Sequence, residues 1–247
     1  LTTPLTTIHA LAADAAGNIY FSDSFQIGKV EAATGLVRTI SNTAFVEHMV
    51  ADAGGNLYFM TSSGSRVQKL STSNTVTTFA GGGNPADGVG DNLPATQASL
   101  SSARGLALDA QGNLFIADYF HSRVRKVGVD GIITTVAGNG SSGTSGNGGP
   151  AINASLQLPD GIAVDAGGNL YIVSGFGGVR KVDENGIINA VASLHAWPGR
   201  MAHGAISAAH VLLTNDGRIM LTDCVFGAGL AILPFLYARA RAEKDAV

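Results

Sequence analysis

Cysteine, charge and long hydrophobic runs are scarce in this 247-residue sequence, and each scarcity excludes a class of protein. The one cysteine, Cys224, cannot form an internal disulfide or a zinc site made of cysteine pairs. Charged residues make up 13% of the chain, and Lys+Arg 15 against Asp+Glu 18 gives no basic field for a nucleic-acid backbone. The most apolar stretch, residues 225–237, contains Gly227, Gly229 and Pro234 and is shorter than the roughly 20 apolar residues that span a bilayer. We therefore expect neither a nucleic-acid partner nor a transmembrane segment.

Glycine, in contrast, is abundant. The chain has 33 glycines, against a usual share of roughly 7%. They lack a three-residue period, which excludes a collagen helix. Hydrophobic residues at 45% and a mean hydropathy of +0.23 supply a packed core and exclude wholesale disorder. The composition predicts a folded, turn-rich chain. No basic segment followed by an apolar run opens the sequence, so we expect no signal peptide within it.

A repeat organises the sequence. Four segments share an Asp, a Gly three residues later, a polar residue and then an apolar strand-like run, and a fifth, weaker segment has Thr214 in place of the Asp. They are residues 14–21, 52–59, 109–116, 165–172 and 214–221. By subtraction, their glycines at 17, 55, 112, 168 and 217 are 38, 57, 56 and 49 residues apart. Periods of this length indicate a repeat architecture with variable loops.

Each unit predicts four short strands. An apolar run leads into an Asp-x-Gly-Gly-Asn turn, and an apolar run such as residues 170–173 follows it. A third run alternates apolar and basic residues, as in 123–127, and a fourth such as 132–136 closes the unit. Four antiparallel strands per repeat, stacked radially, form a β-propeller blade. The predicted fold is all-β, with about five blades and a degenerate fifth.

The most complete unit, Asp109 to Val127, resembles the NHL-repeat family of β-propellers. The resemblance extends over residues 5 to 192 and is looser beyond them. It implies a propeller at residues 1–233, followed by a helical or disordered tail at 234–247. An irregular closure and a truncated six-bladed ring both remain open, and we expect either a closed ring or dimerisation through the gap. Glycine-rich linkers at 81–94 and 138–150, which we expect to be functional or flexible, resemble those of bacterial extracytoplasmic NHL proteins. The resemblance thus implies a periplasmic or secreted protein.

One repeat position concentrates ionisable residues. It lies five residues before the blade Asp, at the start of each innermost strand, where the strands meet around the mouth of the central channel. The residues there are His9, Glu47, Arg104, Asp160 and, in the weak unit, Ala209; His48 and His210 lie one position later. The candidates for a ligand-binding mouth are His9, Glu47, His48, Arg104, Asp160 and His210. The interpretation that we favour for these residues is a solvated channel lining with paired charges, such as Arg104 with Glu47 or Asp160.

A more specific hypothesis is a metal site at this mouth, with His9, Glu47 and Asp160 as ligands for Ca²⁺ or Zn²⁺. The segment around Asp160 is similar to the one that carries a metal-binding Asp in gluconolactonase-type lactonases. NHL-like peptidyl-amidating lyases bind zinc through histidines, for which His9, His48, His203 and His210 are the candidates. Neither family's remaining motifs match, so our expectation is that no cofactor is bound.

Other motifs are assigned structural roles. The repeated Asp at 14, 52, 109 and 165 is predicted to be a turn residue, and Arg123, Arg125 and Lys126 a solvated basic stripe. His121 is placed in a surface turn, and the segment from Asp87 to Asn92 is interpreted as a polar turn. The glycines at 138, 140 and 143 match a dinucleotide fingerprint, but no helix is predicted after them. A second place to search for a site is the linker with His195, Trp197, Arg200 and His203.

The leading functional hypothesis is a non-enzymatic binding propeller that presents its channel mouth and loops to a protein, peptide or glycan. The alternative is a divalent-metal hydrolase or lyase, of lactonase or amidating-lyase type, acting at the same mouth. A structural segment of a larger chain is a third.

Overall fold

The structure, a computed structural model, describes residues 7–43, 45–61, 63–175, 178–192, 210–213 and 219–222. Within these ranges the chain forms three four-stranded antiparallel sheets, a fourth with one short additional strand, and a two-stranded hairpin. The four main strands of each full sheet form a meander in sequence order. The inner strand of each sheet contacts the inner strand of the next. This arrangement confirms the predicted propeller blades. No helix in the described ranges is long and apolar enough to cross a membrane.

The blades are numbered in chain order. The first comprises β1 (Ala10–Ala13), β2 (Ile19–Ser22), β3 (Ile27–Val30) and β4 (Val37–Ser41). The second comprises β5 (Val46–Ala51), β6 (Leu57–Thr61), β7 (Arg66–Leu70) and β8 (Val76–Gly81). The third comprises β9 (Ala103–Leu108), β10 (Leu114–Asp118), β11 (Arg123–Val127) and β12 (Ile133–Ala137). The fourth comprises β14 (Pro159–Val164), β15 (Leu170–Ser174), β16 (Gly178–Val182) and β17 (Ile187–Ala192), with the short β13 (Gly149–Pro150) added at its outer edge. In the fifth unit the described residues form the hairpin β18 (His210–Leu213) and β19 (Ile219–Thr222).

The repeated Asp closes the first hairpin of each blade. In the third blade, Asp109 Oδ1 accepts hydrogen bonds from the backbone N–H groups of Gln111 and Asn113, and Oδ2 accepts one from Asn113 Nδ2 at 2.6 Å. Asp14, Asp52 and Asp165 hold their Asn in the same way. The predicted turn role of these residues is confirmed.

Hydrogen bonding at these turns shifts the titration of the groups involved. Burial acts to raise the pKa of Asp165, but hydrogen bonds from Asn169 and Tyr171 outweigh it, so its pKa lies below the usual value. In the first blade, burial and the hydrogen bond to Asp14 raise the pKa of Tyr20 to about 12. Both effects favour an ionised Asp and a neutral Tyr at neutral pH.

The core lies between blades, because alternate residues of each strand point to opposite faces of its sheet. We call the face that contacts the preceding blade the front face, and the other the back face. The front face of the second blade, with Met49, Leu57 and Phe59, packs on the back face of the first, with Ala10 and Tyr20. Similar clusters join the second to the third blade and the third to the fourth. Each interface is thus a small sheet-on-sheet core.

The front face of the first blade is exposed. Leu11 and Ile19 are 59% and 46% exposed, whereas Leu106 and Leu114, at the same positions in the third blade, are 8% and 0% exposed. Phe21 is buried on its own sheet instead, because its ring occupies the space that a Cβ on Gly28 would need. Within the described residues, the front face of the first blade has the apolar side chains of an interblade face, but no neighbouring blade buries them.

Buried arginines fix the two glycine-rich linkers. Arg125 is 0% exposed and donates to Asp118, to the carbonyl of Val89 and to Asp91. Arg180, 2% exposed, donates to the carbonyls of Ser145 and Ser155 and to Asn147 Oδ1. Each linker therefore folds back on the blade that follows it.

The expected solvated basic stripe is wrong. Arg125 is buried by the linker that covers it, and Arg123 is half-buried, donating to the carbonyls of His121 and Asn139. Lys126 lies over the ring of Phe115, its partner on the neighbouring strand, with 5.6 Å between Nζ and the ring centroid. The same pair recurs as Lys29 with Tyr20, Lys69 with Tyr58 and Lys181 with Tyr171. The alternation was interpreted correctly as a strand, but the charges have internal partners.

Several predicted features fall outside the described residues: the tail at 234–247, the third strand of the last unit, the fifth-blade position Ala209, Cys224, and the linker with His195, Trp197, Arg200 and His203.

Candidate functional site

The candidate site lies at one end of the blades. Because each sheet is a meander, three features share that end: the first residues of the inner strands, the turns between the second and third strands, and the linkers between blades. We call it the linker end, and the other, with the two hairpin turns of each blade, the hairpin end. The ionisable residues predicted at the channel mouth belong to the linker end.

A β-bulge places the predicted residues in three of the blades. In the second blade, Glu47 is the extra residue between Val46 and His48, which pair with Thr61 and Met60. In the third, the pairing skips Arg104 and Gly105 between Ala103 and Leu106. In the fourth, it skips Asp160 and Gly161 between Pro159 and Ile162. Bulges redirect side chains and are common next to functional sites. Glu47, Arg104 and Asp160 thus occupy corresponding bulge positions in their blades.

A left-handed residue precedes each bulged strand. Phe45, Ser102 and Leu158 have φ angles of 54°, 50° and 49° and stand immediately before β5, β9 and β14. None is glycine, so each conformation costs on the order of 1–3 kcal/mol. The surrounding fold must stabilise this turn in every one of the three blades.

Arg104 and Asp160 are brought together across two blades. Arg104 Nη1 lies 3.4 Å from Asp160 Oδ1, and the two side chains are 42% and 26% exposed. The Arg104 guanidinium stacks on Tyr119, with 3.9 Å between Cζ and the ring centroid, and Tyr119 contacts Phe120 edge-on at 5.0 Å. A guanidinium held between a carboxylate and an aromatic ring is oriented as well as charged.

The remaining predicted residues are more dispersed. His9 Nε2 lies 3.1 Å from Ser24 Oγ, and its ring is tilted against Phe45 of the next blade at 6.5 Å. Glu47 is exposed and His48 half-buried. His210 begins β18, and its side chain is outside the description. In the described part of the chain, no three His, Cys, Asp or Glu residues form a group that could hold a metal, so His9, Glu47 and Asp160 are not gathered around one point there.

Exposed phenylalanines surround this end, and the sequence interpretation missed them. Phe25 and Phe120, both in turns between second and third strands, are 66% and 63% exposed, and Phe45 is 54% exposed. The signal was available, because Phe25 and Phe120 each stand two residues after an Asp, Asp23 just after β2 and Asp118 at the end of β10. Phe176 has the same place in the fourth unit, although its structure is outside the description.

Three other motifs have structural explanations. Asp87 accepts from the N–H groups of Val89 and Gly90, as a polar turn residue does. His121 lies in a turn and contacts the buried Asp118 at 2.9 Å. Residues 138–150, which include the dinucleotide-like glycines, contain turns and the short β13, and only a three-residue 3-10 helix, Ala151–Asn153, follows them. The polar turn at Asp87 is confirmed, and His121 lies in a turn as predicted but is half-buried.

Comparison with known proteins agrees with this architecture. Two segments, residues 74–144 and 139–211, match the family model of the Teneurin NHL domain. Mouse Teneurin-3 is 42% identical over 99 residues, which is 32% of this chain and 4% of that protein.

Solved β-propellers resemble the chain in fold. A structural genomics protein of unknown function from Bacteroides thetaiotaomicron superposes with a TM-score of 0.59 at 24% identity, covering 70% of this chain and 46% of that one. An auxiliary nutrient binding protein from the same organism gives 0.54 at 17% identity, covering 68% and 45%. A streptogramin B lyase gives 0.53 at 14% identity, covering 76% and 55%. The chain therefore spans about half the length of these structures, and the likeness extends to the fold alone.

The family match covers more than half of the chain and includes the whole of the third and fourth blades. The chain thus belongs to the Teneurin NHL domain family, and its fold is an NHL-type β-propeller.

Proposed function

We propose that the chain is a non-enzymatic binding propeller that uses its linker end to bind a protein, a peptide or a glycan. The observation that carries the proposal is the exposure of Phe25, Phe45 and Phe120 at the end that also presents Arg104 and Asp160. Monomeric proteins expose single apolar residues commonly, but several large aromatic rings at one end of a rigid scaffold favour an interface. Aromatic residues and arginine are the side chains enriched at such interfaces.

The rigidity of the scaffold supports the same function. The linkers at this end are fixed by buried arginines, and Arg104 is held by two partners before any ligand arrives. A surface ordered in advance loses less conformational entropy on binding.

The experiment is site-specific photocrosslinking. A photoreactive phenylalanine analogue replaces Phe120 at the linker end or Val129, 78% exposed in a turn at the hairpin end. We expect crosslinks to a defined protein or glycan from position 120 only. With that partner purified, F120A should weaken binding by at least about tenfold, which corresponds to about 1.4 kcal/mol, and V129A should leave it unchanged. Equal crosslinking from both positions would contradict the proposal.

A metal-dependent hydrolase or lyase acting at the same end is the second candidate, although His9, Glu47 and Asp160 do not form one metal-binding group among the described residues. It rests on the residue types at the bulges and on the fold likeness to a streptogramin B lyase. Elemental analysis of the purified protein, with the variants H9A and D160A, tests it. Stoichiometric Ca²⁺ or Zn²⁺ that is lost in both variants would favour the enzyme, and no bound metal in the wild-type protein would refute it.

We also propose that the chain acts outside the cytoplasm, in the periplasm or secreted from a bacterial cell, and that it dimerises if its ring is not closed. Fractionation of the native host with an antibody to the chain tests the location, and sedimentation velocity tests the oligomeric state.

A further inference from the structure

Arg180 is a buried cation without an acidic partner. Its side chain is 2% exposed, and all three of its hydrogen bonds go to neutral groups: the carbonyls of Ser145 and Ser155 and the amide oxygen of Asn147. Across the described residues, its guanidinium forms no ion pair. Burial lowers the pKa of Arg180, yet a guanidinium remains charged at neutral pH. A charge removed from water without a counter-charge is costly.

The third blade has the same arginine with two carboxylates. Arg125 donates to Asp91 at 2.9 Å and lies 3.4 Å from Asp118. The two linkers have the same backbone pattern, since Arg125 also donates to the carbonyl of Val89 as Arg180 does to that of Ser145. Asn147 replaces Asp91 in the fourth blade.

Ser174 stands where the third blade has Asp118. Both residues end the second strand of their blade, and the arginine is on the neighbouring strand, opposite the residue two positions earlier. The fourth blade has therefore exchanged both carboxylates for neutral side chains and retained the buried cation.

Two polar groups at this point are left without partners. Arg180 Nε and Ser174 Oγ are buried and make no hydrogen bond. Arg125 Nε in the third blade is unpartnered as well, so the group that distinguishes the fourth blade is the Ser174 hydroxyl. Serine is shorter than aspartate, so its side chain does not reach the volume that the Asp118 carboxylate occupies. A buried guanidinium without a counter-charge beside a buried hydroxyl without a partner describes a site for an anion.

We propose that a small inorganic anion of chloride size binds between Arg180 and Ser174 and replaces the carboxylate that Asp118 supplies in the third blade. The anion neutralises the buried guanidinium and stabilises the linker at 138–150. This site lies at the linker end, but the inference does not depend on the partner proposed above.

The direct test is crystallography with bromide, which has an anomalous signal and the charge of chloride. We expect a bromide peak within about 3.5 Å of Arg180 Nε and Ser174 Oγ. In S174D, which restores the carboxylate of the third blade, the peak should be absent. A water at this place in the wild-type protein, or no density at all, would overturn the proposal.

Thermal unfolding tests binding in solution. At a chloride concentration ten times its Kd, in place of gluconate at equal ionic strength, the wild-type midpoint should rise by about 3–6 °C. S174D should show no chloride-specific rise, and neither should R180Q, which introduces the glutamine that the second blade has as Gln68. If R180Q does not fold, S174D alone decides. An equal rise in wild type and S174D would refute the site.

Discussion

Truncating the same leucine in two blades tests whether the first blade has an open face. Leu11 and Leu106 each stand three residues before the blade Asp, but they are 59% and 8% exposed. Leu106→Ala removes three buried carbon groups and leaves a cavity between blades, which costs about 3–4 kcal/mol. Leu11→Ala removes the same groups from a side chain that is less than half buried and leaves no enclosed cavity, so we expect about 1 kcal/mol.

Urea unfolding of both variants measures the difference, with L36A as the control. Leu36 is 63% exposed in a turn at the hairpin end and should change stability by less than about 0.5 kcal/mol. If L11A loses as much stability as L106A, the face of the first blade is covered in solution and the reasoning from exposure fails. Sedimentation velocity on the same samples then separates a dimer from a closed ring.

Three further predictions concern charges. Replacing Arg125 by Gln should cost about 3–5 kcal/mol in urea unfolding, because Asp118 remains buried without its cation. The stability that Asp165 contributes should be present above the unfolded-state pKa of about 3.9 and lost as the pH falls below it, since its folded pKa is depressed. The gap in thermal midpoint between wild type and D165A should accordingly narrow from pH 7 to pH 2.5, and a constant gap would contradict this. D160N should cost less than about 1 kcal/mol in the same assay, because its ion pair with Arg104 is partly exposed.

The fold could be predicted because the same local sequence pattern recurs in several blades. Asp109 and Asn113 close a hairpin through side chain to backbone bonds that involve only neighbouring residues, so the pattern is visible in the sequence and recurs in four blades. The strands follow from alternation, which is equally local. The alternation of apolar and polar residues does not show how deeply each side chain is buried. The sequence pattern predicts that Arg125 is solvated, because the residues that bury it, such as Val89 and Asp91, are more than 30 positions away in the chain.

The candidate site was predicted in part for the same reason. The bulge positions of Glu47, Arg104 and Asp160 are equivalent in the repeat, so counting back from the blade Asp located them. Whether such residues meet depends on the relative placement of whole blades. Arg104 reaches Asp160 across an interface, whereas His9 turns to Ser24 within its own blade. Repeat spacing contains no information about these choices.

The residue type at the middle of the third strand, where Arg125 and Arg180 stand, varies with the length of the linker before the blade. Arg125 and Arg180 belong to blades that follow long glycine-rich linkers, and each uses its fork of donors to hold carbonyl groups of that linker. The second blade follows a short linker and has Gln68 there, while the first has Gly28, over which Phe21 folds. A long linker that returns to its blade brings backbone carbonyls into a buried space, and these require donors. A guanidinium group supplies several hydrogen-bond donors in one plane, but it also carries a positive charge. The third blade neutralises that charge with its own carboxylates, and the fourth, lacking them, must take its negative charge from elsewhere.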